Sequence, residues 1–130
     1  MRKLIALLFA GLSLLPLTGT RAEVVGAPVI GAKEPELHDI AEGWSAKMQV
    51  IGQPVFNEQR EWIGNIDDLV IVPGKPTSYG IVNISFFLKV PKRLIAVPVS
   101  QLIWEEGKLV LPGATLDALK ATPAFEFVRR

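Results

Sequence analysis

The residues able to do chemistry in this chain are few and far apart. It has no cysteine and one histidine, so a thiol nucleophile and thiolate metal ligation are excluded. His38 stands beside Asp39, in a stretch punctuated by Gly26, Pro28, Gly31 and Pro35. A Ser-His-Asp site would need that stretch delivered to a serine elsewhere in the fold, so His38 is read as a solvated side chain. Asp67-Asp68 is the conspicuous acidic pair. Adjacent strand residues point to opposite faces, so the two carboxylates share an ion only if a bulge intervenes. A Ca²⁺ ion wants six or more oxygens, and no acidic loop of that kind is present. Asp68 is expected to accept from backbone N–H groups where its strand bends. Trp44, Trp62 and Trp104 invite stacking on a sugar or other ligand, but large aromatics more often anchor a core or an interface. Gly74-Lys75-Pro76 reads as a turn and not as a phosphate loop. The expectation is a chain without catalytic residues, bound metal or cofactor, and so not an enzyme.

The segment Phe86-Phe87-Leu88-Lys89-Val90-Pro91-Lys92-Arg93 is the strongest functional candidate. Apolar residues rimmed by cations are what a docking surface presents. Strand alternation from Val82 puts Ile84 and Phe86 inward and Phe87 outward. Phe87 is thus the expected interface anchor, with Lys92 and Arg93 at the rim. The competing reading is that Phe86 and Leu88 simply fill the interior.

The elements that must position these residues are mostly strands. Short extended pieces are expected at Lys47 to Ile51 and Pro54 to Phe56, separated by Gly52-Gln53. Trp62 to Val72 is a long apolar-rich run that Pro73-Gly74-Lys75-Pro76 terminates. A strand is expected from Thr77 to Leu88, because Val82, Ile84 and Phe86 alternate with Asn83 and Ser85. Leu94 to Val97 is the next, closed by Pro98. Gln101 to Trp104 and Lys108 to Leu111 flank Glu105-Glu106-Gly107 as a hairpin. Near the N-terminal side, Glu36 to Glu42 could form a helical turn or two, with Leu37 and Ile40 on one side. The clearest helix comes last. Thr115 is suited to cap it, Asp117 and Lys120 match its dipole, Leu116 and Leu119 share the inward face, and Pro123 stops it at Thr122. Closely spaced strands without long helices between them indicate a barrel or sandwich.

The first residues read as a secretory signal. Met1-Arg2-Lys3 is a basic head, Leu4 to Leu17 an apolar run, and Thr20-Arg21-Ala22 a small-x-small site. The run is short for a spanning helix, which needs about 20 apolar residues. Of 14 basic groups against 13 acidic ones, three basic groups (Arg2, Lys3, Arg21) lie in this segment, so the remainder has eleven against thirteen. A slightly acidic domain lacks the basic stripe of a nucleic-acid binder. An exported domain without cysteine must also hold together by burial and hydrogen bonding alone. The expected organisation is signal peptide 1–22, linker 23–43 and barrel domain 44–127, with a periplasmic or secreted location. Membrane contact is expected only if the signal stays uncleaved.

Several stretches carry a resemblance. Gly52-Gln53-Pro54-Val55, then Ile63-Gly64-Asn65-Ile66-Asp67-Asp68-Leu69-Val70, resembles the opening of a PRC-barrel. Ile95-Ala96-Val97-Pro98, with Leu102 and the Lys108 to Leu111 strand, resembles the family's central stretch. Ala114 to Phe125 is similar to the helix that closes exported bacterial members. Together these cover residues 44–127. The chain departs from the family pattern at Asn57-Glu58-Gln59-Arg60-Glu61, which lacks the usual glycine. It departs again at Ser85 to Arg93, which replaces a glycine-rich loop. The resemblance implies a mainly β fold, a small PRC-type β-barrel with one short C-terminal helix. PRC-barrels serve as docking or assembly modules in the H subunit of photosynthetic reaction centres and in a ribosome maturation factor. The export signal argues against the ribosomal role, and the missing spanning helix against the H subunit itself. The function implied is an exported, non-enzymatic module for protein binding or self-association. The alternative is a small-ligand carrier or stress-response protein with an apolar barrel pocket.

Overall fold

A computed structural model describes residues 27–28 and 30–129. The expected signal peptide, residues 1–22, lies outside the described residues. The chain divides between Glu42 and Gly43 into two units. The first contributes helix α1 (Glu34–Ala41), with Pro35 in its first turn beside Glu34 and Glu36. Proline is tolerated there because the first N–H groups have no helical acceptor. No α1 residue is buried, Leu37 and Ile40 included.

The second unit is mainly β. Its strands are β1 (Pro54–Phe56), β2 (Trp62–Ile71), β3 (Ser78–Asn83), β4 (Leu94–Pro98), β5 (Ile103–Glu105) and β6 (Lys108–Val110). They form one six-stranded sheet in the order β4-β3-β2-β1-β6-β5. Every pairing is antiparallel except β1 with β6, where Val55 faces Leu109 and Phe56 faces Val110. The sheet is thus mixed and open. Beyond the β4 edge, the Phe125 N–H donates to the Leu94 carbonyl at 2.7 Å, so the C-terminal tail meets that edge at the start of the strand. On the β5 side, Trp104 meets Trp44 edge-on with centroids 5.8 Å apart.

One apolar cluster organises the unit. Val55, Ile63, Ile66, Val82, Ile95, Val97 and Leu109 enter it from five of the strands, and Leu119 from helix α3 (Leu116–Ala121). The α3 cap is the expected one: Thr115 Oγ1 accepts from the Ala118 N–H at 3.1 Å. Leu116 departs from expectation. It is 41% exposed while Leu119 is 2% exposed, so Leu119 is the residue by which α3 enters the core.

Two strand expectations are corrected. Lys47 to Ile51 is not extended: Ala46–Val50 is a π-helical turn. Ser45 holds it locally, accepting from the Met48 N–H through Oγ at 3.2 Å and donating its own N–H to Gln49 Oε1 at 2.7 Å. Side chains that bond the nearby backbone compete with a ladder in this way. The strand expected to run from Thr77 to Leu88 stops at Asn83 and gives way to a helical turn, α2 (Ser85–Leu88). Asn83 Oδ1 accepts from both the N–H and the hydroxyl of Ser85, at 3.0 and 2.6 Å, which turns the chain out of the sheet. Ser85 Oγ then accepts from the Arg93 N–H at 2.7 Å, and the Ile84 N–H reaches the Arg93 carbonyl at 2.9 Å. The loop is pinned at its neck, and Lys89 closes α2 in the left-handed region at φ 58°.

Candidate functional site

Strand β2 positions the site. Its buried isoleucines, Ile63 and Ile66, are three residues apart, a spacing that strict alternation cannot put on one face. Two register shifts resolve this. Val55 pairs with Gly64 and Phe56 with Trp62, which leaves Ile63 as the extra residue. On the other side Ile66 pairs with Val82 and Asp68 with Ile81, which leaves Asp67 extra. Bulges of this kind re-aim side chains. Here Trp62 and Asp67 are exposed while Ile63 and Ile66 stay inside.

The bulged strand and the α2 turn together border a groove of about 340 Å³. Its lining includes Trp62, Asn65, Asp67, Asn83, Phe86 and Phe87. The Trp62 indole N–H donates to Asn65 Oδ1 at 2.8 Å, which fixes the plane of the ring. Phe86 lies beside it, ring centroids 5.3 Å apart and planes inclined at 37°. Both rings face solvent, Trp62 at 43% and Phe86 at 76% exposure. Asp67 is the one charged residue in the lining. Its only side-chain partner among the described residues is the Asn83 amide, at 3.5 Å. The floor is Gly64, where an added Cβ would collide with the Asn83 carbonyl. Only glycine lets β2 and β3 approach this closely.

The α2 turn inverts the expected phenylalanines. Phe86, expected inside, is the exposed one, and Phe87 packs against the core cluster while also reaching the groove wall. Helical geometry turns successive side chains by about 100°, so the period-2 argument lapses at Asn83. Lys92 is exposed. Arg93 is drawn to α3 instead: its guanidinium donates to the Thr122 and Lys120 carbonyls at 2.7 and 3.4 Å. Those are C-terminal helix carbonyls without helical partners, so Arg93 caps α3. Its Nε is buried without an acceptor. Of Phe87, Lys92 and Arg93, only Lys92 is exposed. Sequence reasoning missed Trp62 and Asn65 as partners. The signal available was the pair of inward isoleucines at a spacing of three, which requires a bulge.

A second groove, about 330 Å³, lies between the β1–β2 turn and the β5–β6 hairpin. Glu58, Arg60, Glu105, Glu106 and Lys108 border it, with Lys108 Nζ 5.1 Å from the Phe56 ring centre. The turn beneath it is built on Asn57, which is 1% exposed. Asn57 Oδ1 accepts from the Gln59 and Glu61 N–H groups at 3.0 and 2.9 Å. Its amide donates to Glu61 Oε1 at 2.7 Å and to the Ala114 carbonyl at 3.1 Å. This hub replaces the glycine that the turn lacks and lets Arg60 stand at φ 66°.

The remaining candidates stay apart from both grooves. His38 pairs with Glu42 at 3.5 Å on exposed α1. Asp68 accepts from the Leu69 N–H at 2.7 Å. Among the described residues no three His, Asp or Glu side chains come together as metal ligands, and no helix is long and apolar enough to cross a membrane. Neither a family model nor a curated protein matches the chain.

Proposed function

We propose that this chain is an exported, non-enzymatic module of the PRC-barrel type that binds a protein partner or a second copy of itself. The contact face is the Trp62–Phe86 pair. The observation that carries the reading is that two large rings stand exposed side by side, one of them fixed by Asn65. An aromatic held in place loses little entropy on contact, and such residues dominate interface energetics. The interior supports an outward-facing contact over an enclosed ligand, since Ile63, Ile66, Ile84, Ile95 and Leu109 fill it at 1% exposure or less. The residues that resemble PRC-barrels support the family, and the basic head, apolar run and Thr20-x-Ala22 site support export.

The test is a comparison of the protein with its Trp62→Ala/Phe86→Ala double variant, in sedimentation for self-association and in partner capture from extracts. The double variant is expected to weaken the interaction by about 2 kcal/mol or more, as loss of a hot spot does, with its melting curve nearly unchanged. Interaction of undiminished strength overturns this contact face.

A further inference from the structure

The Trp62 groove joins two flat apolar surfaces to a single negative charge. Trp62 and Phe86 supply the rings, inclined at 37° and open to solvent. Asp67 supplies the charge, raised out of the ladder by the β2 bulge. Among the described residues no lysine or arginine pairs with Asp67. The other polar groups of the groove are largely committed. Asn65 Oδ1 holds the indole, and Asn83 Oδ1 and the Ser85 hydroxyl hold the neck of the loop. What is left for an occupant is an aromatic face and a carboxylate.

Resting on the contact-face reading above, we propose that the groove recognises an arginine side chain of a protein partner, its guanidinium laid on the Trp62–Phe86 rings and its N–H fork turned to Asp67. The charge complementarity is specific in kind. An aromatic face attracts cations through its quadrupole, most strongly at tryptophan. A carboxylate matches the guanidinium fork, which is planar enough to stack and is weakly hydrated. An ammonium would meet the same charge but would not stack. An uncharged hydrocarbon would leave Asp67 at the rim without a partner.

The experiment uses ¹⁵N-labelled protein titrated with three capped tripeptides, Gly-Arg-Gly, Gly-Lys-Gly and Gly-citrulline-Gly. The arginine peptide is expected to give saturable shifts at the Trp62 indole N–H and the Asn65 side-chain amide. Citrulline keeps the shape without the charge and should bind about tenfold more weakly, as loss of a charge-assisted hydrogen bond implies. Lysine should fall between the two. Asp67→Asn should weaken the arginine peptide by about the same factor, and Phe86→Ala by about threefold through the lost cation–π contact. Equal binding of arginine and citrulline, indifference to Asp67→Asn, or shifts confined to residues away from the groove would overturn the proposal. If the tripeptides fail and partner capture still depends on Trp62 and Phe86, the arginine inference falls while the contact face stands.

Discussion

Two turns of this molecule meet the same backbone demand and use their side chains in opposite ways. Asn57 to Glu61 joins β1 to β2, and Ser85 to Arg93 joins β3 to β4. Each carries a non-glycine residue in the left-handed region, Arg60 at φ 66° and Lys89 at φ 58°. The first turn directs its key side chain inward: Asn57 is buried and bonds its own turn and the Ala114 carbonyl before α3. Glu58 adds a bond from the Gly113 N–H at 2.9 Å. The second turn closes its neck with Ser85 and Asn83 and leaves Phe86 outside. The difference separates a joint that fastens the fold from one that displays a surface. Buried polar groups must be fully satisfied, which makes the first turn intolerant of change. A loop held by its neck and by Phe87 on the core can carry the neighbouring Phe86 ring exposed at little cost to the rest.

The comparison breaks most visibly at Asn57. Asn57→Ala removes an acceptor shared by two backbone N–H groups and a donor to two oxygens, and should cost about 2–4 kcal/mol. Urea unfolding measures it, and a loss below about 1 kcal/mol would show that water replaces the hub. Next is the phenylalanine pair. Phe87→Ala should cost about 2–3 kcal/mol, short of a fully buried phenylalanine, whereas Phe86→Ala should cost under about 1 kcal/mol, the worth of an exposed ring contact. Thermal melts of the two variants side by side decide this, and a larger loss at Phe86 than at Phe87 would restore the extended strand with Phe86 inside. A smaller effect is expected at the neck. Ser85→Ala frees the Arg93 N–H and should cost about 1 kcal/mol, with faster hydrogen exchange from residue 85 to 93 and unchanged exchange in β2. The smallest effect is a gain. Arg60→Gly and Lys89→Gly relieve left-handed strain, and each should raise stability by about 0.5–1 kcal/mol, offset in part by the freer unfolded chain. A loss at either site would mean that the side chain holds its turn.

Much of this fold was legible because its signals act over a few residues. The Pro73-Gly74 turn, the Glu106-Gly107 hairpin and the Thr115 cap with Pro123 beyond it lie where the sequence puts them, since each fixes a dihedral or a bond within four positions. Strands β2, β4 and β6 follow from apolar runs between such breaks. The candidate site was only half legible. Phe86 and Phe87 were marked, but their orientations were exchanged, because the alternation that assigns faces presumes a strand, and the Asn83–Ser85 bonds end that strand. Trp62, Asn65 and Asp67 come together only through two register shifts in β2, and a register is set by the partner strands on either side. Arg93 carries the charge of a rim residue, yet the open carbonyls of α3, some thirty positions away in sequence, draw it in. Composition and local spacing thus determined that the unit is mainly β, where the Pro73-Gly74 and Glu106-Gly107 turns fall and which helix closes it. Which face of β2 meets solvent, and which phenylalanine goes with it, was decided by contacts between segments distant in the chain, where packing of the shared core outweighs the preference of any single residue.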